Sequence, residues 1–213
     1  LNAIVTFSND TVIFGQRTIR ISNGIDFSSI PLRQQIHTME NELHLIGVAE
    51  IHFWHGFDRI INGLKEYYTQ NPTYKVYFHI VGNLSGERER QEIEMPIHTY
   101  GLSPYVILHG AKHGKELDVL FEKADFAVGS LARHRSGIQN IKTLKNREYA
   151  ARGFGFIYSE TDDDFEKMPY ILKAPADETP IEISKVIAFC KKQTTPPQEI
   201  RDSIRNLSWK EQM

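Results

Sequence analysis

Gly129-Ser-Leu-Ala-Arg-His-Arg-Ser-Gly-Ile-Gln-Asn-Ile-Lys-Thr-Leu-Lys-Asn-Arg-Glu-Tyr-Ala-Ala-Arg-Gly-Phe-Gly-Phe-Ile-Tyr-Ser159 reads as the exit of a strand, a polar loop, a helix and a second strand. Apolar Phe126, Ala127 and Val128 run into the small pair Gly129-Ser130. A loop with Arg133, His134 and Arg135 then leads to a helix carrying Lys145, Arg147 and Glu148. Gly153 ends that helix, because glycine takes the left-handed conformation past a helix C-terminus at little cost, and 154–158 has strand composition. In an open α/β sheet the loop after a strand and the start of the next helix lie at the ligand-binding edge. The chemistry is therefore expected there.

The same alternation runs outward from this stretch. Leu43-His-Leu-Ile-Gly-Val-Ala49 reads as a buried strand, followed by Trp54-His-Gly56 and a helix with Phe57, Ile60, Ile61 and Leu64 on one face, ending near Tyr68. Lys75-Val-Tyr-Phe-His-Ile-Val81 is a further strand, opening into Gly82-Asn-Leu-Ser-Gly86 and a charged helix from Glu87 to Met95. Tyr105 to Leu108 is a strand and Lys115 to Glu122 an amphipathic helix. Tyr170 to Leu172 is a last short strand, Pro180 to Phe189 a helix, and Glu199 to Lys210 an amphipathic terminal helix after the Pro196-Pro197 break. Strands alternating with helices indicate βαβ units and a largely parallel sheet, so the fold class is α/β with a Rossmann-like domain. Residues 1–35 do not form such a unit: two short extended runs and the Asn23-Gly24 turn lead into a connector up to Gln35.

Bulk properties narrow the function. The chain has 213 residues, 40% of them hydrophobic, enough for one sizeable core, and a formal net charge of −2 that exerts no global pull on nucleic acid or an acidic membrane. An anion site must be local. The single cysteine, Cys190, excludes an internal disulfide and a multi-cysteine metal site, which fits a cytoplasmic protein. No apolar run approaches the roughly 18 residues of a membrane span. Starting in a strand without Met, the chain reads as part of a longer protein. Trp54, Phe57, Tyr67 and Tyr68 have few basic neighbours, which disfavours an RNA-stacking platform. Gly82 to Gly86 lacks the full Gly-x-Gly-x-x-Gly fingerprint of a nicotinamide dehydrogenase. Asp162-Asp-Asp164 has the wrong spacing for a calcium loop and reads as solvated or as a helix cap. No metal site is expected.

Four stretches taken together resemble the C-terminal half of a GT-B glycosyltransferase of the large retaining family, group 1, that uses nucleotide-sugar donors. Ile21-Ser-Asn-Gly-Ile-Asp26 resembles the linker between that family's two domains, and Trp54-His-Gly-Phe-Asp58 occupies the slot of its Lys-Gly phosphate-side motif. His79-Ile-Val-Gly82 resembles the strand before the donor. Leu144-Lys-Asn-Arg-Glu-Tyr-Ala-Ala-Arg-Gly-Phe-Gly-Phe156 resembles the helix and turn usually written Glu-Ala-x-Ala-x-Gly-x-Pro. The resemblance implies that 1–35 are the end of an acceptor domain and the interdomain linker. It likewise implies that 36–195 are a donor-binding domain and that 196–213 are a C-terminal helix packing back toward the N-terminal domain.

The resemblance also implies a set of site residues. Glu148 would accept hydrogen bonds from the ribose diol, and Lys145, with the helix N-terminus, would face the diphosphate. Lys145 and Arg135 are the expected catalytic residues, stabilising leaving-group charge without a metal or other cofactor. His55, Gly56, Gly82, Asn83, Arg133, Arg147 and Glu148 are the expected donor-binding residues. The sequence departs from the family at Asn140, eight positions before Glu148, where a sugar-contacting Glu is usual. It departs again at Ala49 in place of a phosphate-binding Arg, at His55 in place of Lys and at Gly155 in place of Pro. A divergent bacterial branch is implied, with a loop Arg supplying the lost charge.

The expected activity is transfer of a hexose from a nucleotide-diphosphate sugar to an acceptor hydroxyl in polysaccharide or glycoconjugate assembly, in the cytoplasm or at the inner face of the membrane. This half alone would bind donor and barely transfer it, because the acceptor binds through the absent domain. The full-length protein would associate peripherally with membrane, and nucleic acid is not an expected partner. The competing class is a non-catalytic Rossmann-like binding module. Convergence of Arg133 or Arg135 with Glu148 on one crevice favours the enzyme.

Overall fold

The computed structural model describes residues 2–8, 10–34 and 40–212. The expected boundary at 35/36 falls outside the described residues. The first part forms a small sheet in which β3 (Gln16–Arg20) pairs in parallel with β1 (Ile4–Thr6) and antiparallel with β2 (Val12–Ile13).

The main sheet contains β4 (Glu42–Val48), β5 (Lys75–Val81), β6 (Val106–Leu108), β7 (Phe126–Val128), β8 (Phe156–Tyr158) and β9 (Ile171–Lys173). All six strands are parallel, in the order β6-β5-β4-β7-β8-β9. The chain steps from β4 outward to β6, then returns to the other side of β4 with β7. Loops after β4 and β7 therefore leave in opposite directions, and the crevice between them is a topological switch point where ligands bind in such sheets.

Strand alternation sends side chains to two layers. Leu43, Leu45, Val76, Phe78 and Ile80 pack with Phe57, Ile60, Ile61 and Leu64 of α1 (Phe57–Tyr68). The turn leaving β5 carries α2 (Glu87–Glu89), a π turn over Arg90–Glu94 and α3 (Met95–Thr99). The helix expected from Glu87 to Met95 is therefore interrupted and extended; Pro96, with no N–H to donate, stands in the first turn of α3. The opposite face packs Ile46, Val81, Ala127, Phe156 and Tyr158 against Phe121 of α4 (Lys115–Glu122) and Tyr149, Ala150 and Ala151 of α5 (Leu144–Ala151). Ile183, Val186 and Cys190 of α6 (Ile183–Lys192) join the first layer.

The terminal amphipathic helix expected over 199–210 is instead α7 (Pro197–Asp202), a 3-10 turn at Arg205–Leu207 and α8 (Trp209–Gln212). Ser203 Oγ donates to the Ile200 carbonyl at 2.7 Å, the kind of local side-chain bond that competes with helix continuation. This segment docks on the connector: Ile25 N–H donates to Leu207 O at 2.8 Å, and Arg201 donates to Ile30 O at 3.0 Å.

On the second face, across β4 and β5 to the end of β6, three imidazoles form a row. His44 Nδ1 lies 3.0 Å from His79 Nε2, and His79 Nδ1 lies 2.9 Å from His109 Nε2. Glu42 Oε1 meets His44 Nε2 at 3.3 Å.

Candidate functional site

Two loops meet at the switch point. After β4, a 3-10 turn at Phe53–His55 ends on Gly56, whose φ of 66° lies in the left-handed region. A Cβ on Gly56 would come within 2.9 Å of the Leu131 carbonyl carbon and the Ala132 nitrogen, so only glycine allows the two loops to touch. The Leu131 N–H donates to His55 O at 2.9 Å, stitching the loop after β7 to the loop after β4. Gly82 serves the neighbouring strand end. Its φ is 134° and a Cβ would overlap the Ala49 carbonyl oxygen, while its N–H donates to Gly110 O at 2.8 Å. Asn83 follows it, exposed.

This framework gathers a cluster of polar atoms that have no hydrogen-bond partner among the described residues. Ser130 Oγ, Arg133 Nε, Lys145 Nζ, both side-chain polar atoms of Asn146 and both carboxylate oxygens of Glu160 are buried and unpaired. Such groups are rare in folded proteins, since each costs about 1–3 kcal/mol of unrecovered desolvation. Here they come from the loop after β7, the first turn of α5 and the end of β8, all at one sheet edge.

His55 is buried, and its Nδ1 accepts the His52 backbone N–H at 3.0 Å. Burial, reinforced by Lys145 and Arg133, lowers its pKa to about 2. The ring is therefore neutral, with its proton on Nε2, and acts as a donor rather than a base. Lys145 has a partly exposed stem and a sealed ammonium. Burial lowers its pKa to about 7, with Glu160 opposing that shift and Arg133 adding to it. Glu160, 2% exposed, is raised by burial against the pull of Lys145 and Arg133. Burial also lowers Arg133, whose guanidinium stands 5.5 Å from the Trp54 ring centroid. Thr143 caps α5 by accepting the Asn146 N–H at 3.3 Å, so the helix N-terminus with its positive dipole end opens on this cluster.

His55, Arg133 and Lys145 are thus brought together. Two other expected residues are not. Arg135, expected to be catalytic, is spent on structure: it pairs with both Asp58 oxygens and with Glu178, and donates to Phe53 O at 2.8 Å. These acceptors hold its proton more firmly than usual, against the opposing effect of its own burial. Arg147, expected at the donor, is fully buried, and its three nitrogens donate to Asn23 O, Thr143 O, Ser22 Oγ, Asp162 and Asp164. The Asp162-Asp164 loop, expected to be solvated or a helix cap, is therefore the counter-charge of a buried arginine. Glu148 lies one turn beyond Lys145 on the same side of α5, a third exposed, with Oε1 accepting from Arg152 Nε at 2.9 Å. Asn140 is exposed and bridges Thr161, the residue next to Glu160.

Glu160, Asn146 and Ser130 are the members that motif reading misses. A positional signal exists for Glu160, a carboxylate two residues past a fully buried strand at the ligand-binding edge. Among the described residues, no group of three or more His, Cys, Asp or Glu is placed to hold a metal ion, and no helix is long and apolar enough to cross a membrane.

No family model and no curated protein matches the chain. Solved structures do. Anabaena HepE, crystallised with UDP and glucose, superposes with a TM-score of 0.65 at 17% identity, over 91% of this chain and 54% of that one. A glycosyltransferase from Rickettsia africae superposes with a TM-score of 0.70 at 13% identity, over 94% of this chain and 55% of that one. The C-terminal domain of the Francisella tularensis group 1 glycosyltransferase LpcC gives 0.57 at 15% identity, over 85% of this chain and 96% of that domain. The chain thus spans about half the length of HepE and the Rickettsia protein, and nearly all of the isolated LpcC domain. With its six-stranded parallel sheet and this set of neighbours, the chain has the fold of the Rossmann-like C-terminal half of GT-B glycosyltransferases.

Proposed function

We propose that this chain is the donor-binding half of a retaining glycosyltransferase, acting on a nucleotide-diphosphate sugar. The observation that carries the reading is the set of unpaired buried groups at the β4/β7 switch point. Lys145, Arg133, neutral His55 and the start of α5 together supply donors and positive charge where a diphosphate needs both. HepE, crystallised with UDP-glucose as well as with UDP and glucose, shares the fold and supports the reading. Glu148, on the same side of α5 as Lys145, is assigned to the ribose diol.

The chemical task is limited. As the sugar leaves through an oxocarbenium-like transition state, negative charge grows on the departing diphosphate. Fixed donors aimed at that charge lower the barrier without reorganising. Lys145 and Arg133 take this role and Arg135 does not. No metal is assigned to the reaction. The acceptor binds elsewhere in the full-length protein, so the chain by itself binds donor and transfers little. Polysaccharide or glycoconjugate assembly by a divergent bacterial branch, in the cytoplasm or at the membrane's inner face, is the setting we assign.

Calorimetric titration with UDP, GDP and ADP, with and without magnesium, tests the reading. Metal-independent binding that is lost in Glu148→Ala is the expected result. Absence of binding by every diphosphate overturns it and leaves the non-catalytic module.

A further inference from the structure

Among the described residues Glu160 is the one acidic side chain in the unpaired cluster, and in its ionised form it cannot be a phosphate ligand. An ionised carboxylate only accepts hydrogen bonds, as do phosphate oxygens, so the two repel. Burial removes it from water at 2% exposure, and neither oxygen has a partner. The nearby cations do not satisfy it by direct bonds. Lys173 donates to the Glu160 backbone carbonyl and to Glu166, whereas Lys145 Nζ and Arg133 Nε donate to nothing. A buried, acceptor-only group in this state calls for hydroxyl or amide donors.

Its placement is rigid on both sides. The Ser159 N–H donates to Ser130 O at 3.0 Å, and the Thr161 N–H donates to Gln139 O at 2.7 Å. Glu160, just past the end of β8, is thus held on both flanks by the loop after β7, the kind of preorganisation a recognition residue needs. In the ligand-free chain the positive fields of Lys145 and Arg133 offset its charge. A diphosphate competes for those same cations, and the group it leaves short of positive charge is Glu160. A ligand that carries hydroxyls next to its diphosphate supplies the replacement.

We infer that Glu160 reads the sugar of the donor, its carboxylate accepting hydrogen bonds from one or more sugar hydroxyls while Lys145 and Arg133 turn to the diphosphate. This rests on the donor-site reading above. It assigns sugar discrimination to the end of β8 rather than to the position occupied by Asn140, which is exposed and bridged to Thr161.

The test compares diphosphate with sugar conjugate. Wild type, Glu160→Gln and Glu160→Ala are titrated with UDP, GDP and ADP and with their glucose, galactose, N-acetylglucosamine and mannose conjugates, after thermal melting confirms the fold. The expected result is that both variants still bind diphosphate, with the affinity ratio of preferred conjugate to diphosphate falling at least tenfold. An unchanged ratio overturns the inference and leaves the donor site standing. Loss of diphosphate binding in a folded variant also overturns it, because Glu160 would then hold the site rather than the sugar. A wild type that binds no diphosphate overturns the donor-site reading and the inference with it. Deoxy-sugar conjugates titrated against wild type give an arm that needs no variant. One hydroxyl whose removal costs at least tenfold supports the inference, and insensitivity at every position overturns it.

Discussion

Arg135 meets Asp58 edge to edge, Nη1 to Oδ1 at 2.9 Å and Nη2 to Oδ2 at 2.7 Å, and so locks the turn after β7 to the first turn of α1. Both side chains are mostly buried, at 12% and 16% exposure. Removing one partner of such a pair strands the other charge. Arg135→Ala is expected to cost about 2–4 kcal/mol in unfolding free energy while changing diphosphate affinity less than about threefold. Denaturant melts beside calorimetry check this; a stable variant that no longer binds would return Arg135 to the donor site.

Lys145 makes binding depend on pH. In the free chain, burial lowers its ammonium to about 7, and a neighbouring diphosphate raises it. Above about pH 7 the free chain has lost the proton that the complex keeps, so binding takes up a proton and affinity falls as pH rises, by up to tenfold per unit. Titrations of UDP in two buffers of different ionisation enthalpy at pH 8 measure the uptake. Lys145→Met is expected to abolish it and to weaken binding by about tenfold or more.

Gly82→Ala is expected to be severe. Its φ of 134° is reserved for glycine, and the added methyl would overlap the Ala49 carbonyl oxygen at the end of β4. The strands must part or the turn must rebuild, at about 2–4 kcal/mol. Gly137→Ala, with a φ of 71° but nothing within 4 Å of the new methyl, isolates the backbone cost alone, at about 1 kcal/mol.

Acid should destabilise the chain in a window set in part by its row of half-buried imidazoles. Burial, with His44 and His109 adding to it, lowers His79 to about 4, and burial lowers His109 as well. The groups facing the row are Glu42, Tyr77, Lys112 and Lys123. Between about pH 6.5 and pH 4 the unfolded chain binds protons that the folded chain does not, so stability falls as pH falls. His79→Phe should flatten that slope, recovering on the order of 1–2 kcal/mol at pH 4.5 after allowance for partial solvent screening. Urea melts from pH 7.5 to 4.5 on both proteins supply the comparison.

Periodicity made the sheet legible. Leu43 to Val48 and Lys75 to Val81 carry β-branched and aromatic runs long enough to show strands, and glycines at 56, 82 and 153 mark where those units turn. Those are local signals, and the fold class follows from their alternation. Side-chain direction is not local. Arg133 and Arg135 are two residues apart with the same chemistry, yet one joins the crevice and the other is drawn off by Asp58 and Glu178. Arg147 and Glu148 are adjacent on α5, and only Glu148 shares the side of Lys145. Nothing in the order of residues shows that Asp162 and Asp164 wait for Arg147. The terminal helix failed for a related reason: its apolar spacing was right, but Ser203 bonds back to Ile200 and divides it. Glu160 was missed because it belongs to no motif, and its significance lies in having no partner.

Arg147 gives the chain a mechanical property. One guanidinium holds Ser22 and Asn23 from the connector, Thr143 at the head of α5, and Asp162 and Asp164 from the loop leaving β8. Lys145 stands two residues from this rivet on one side, Glu148 one residue on the other, and Glu160 two residues before Asp162. A pull on β3 is therefore delivered through Ser22 and Asn23 at the roots of the crevice's charged side chains. Whatever force tilts the small N-terminal sheet against the main one must either move these groups together or break the hydrogen bonds that Arg147 makes to Ser22 and Asn23, so tilt and site geometry are geared to each other.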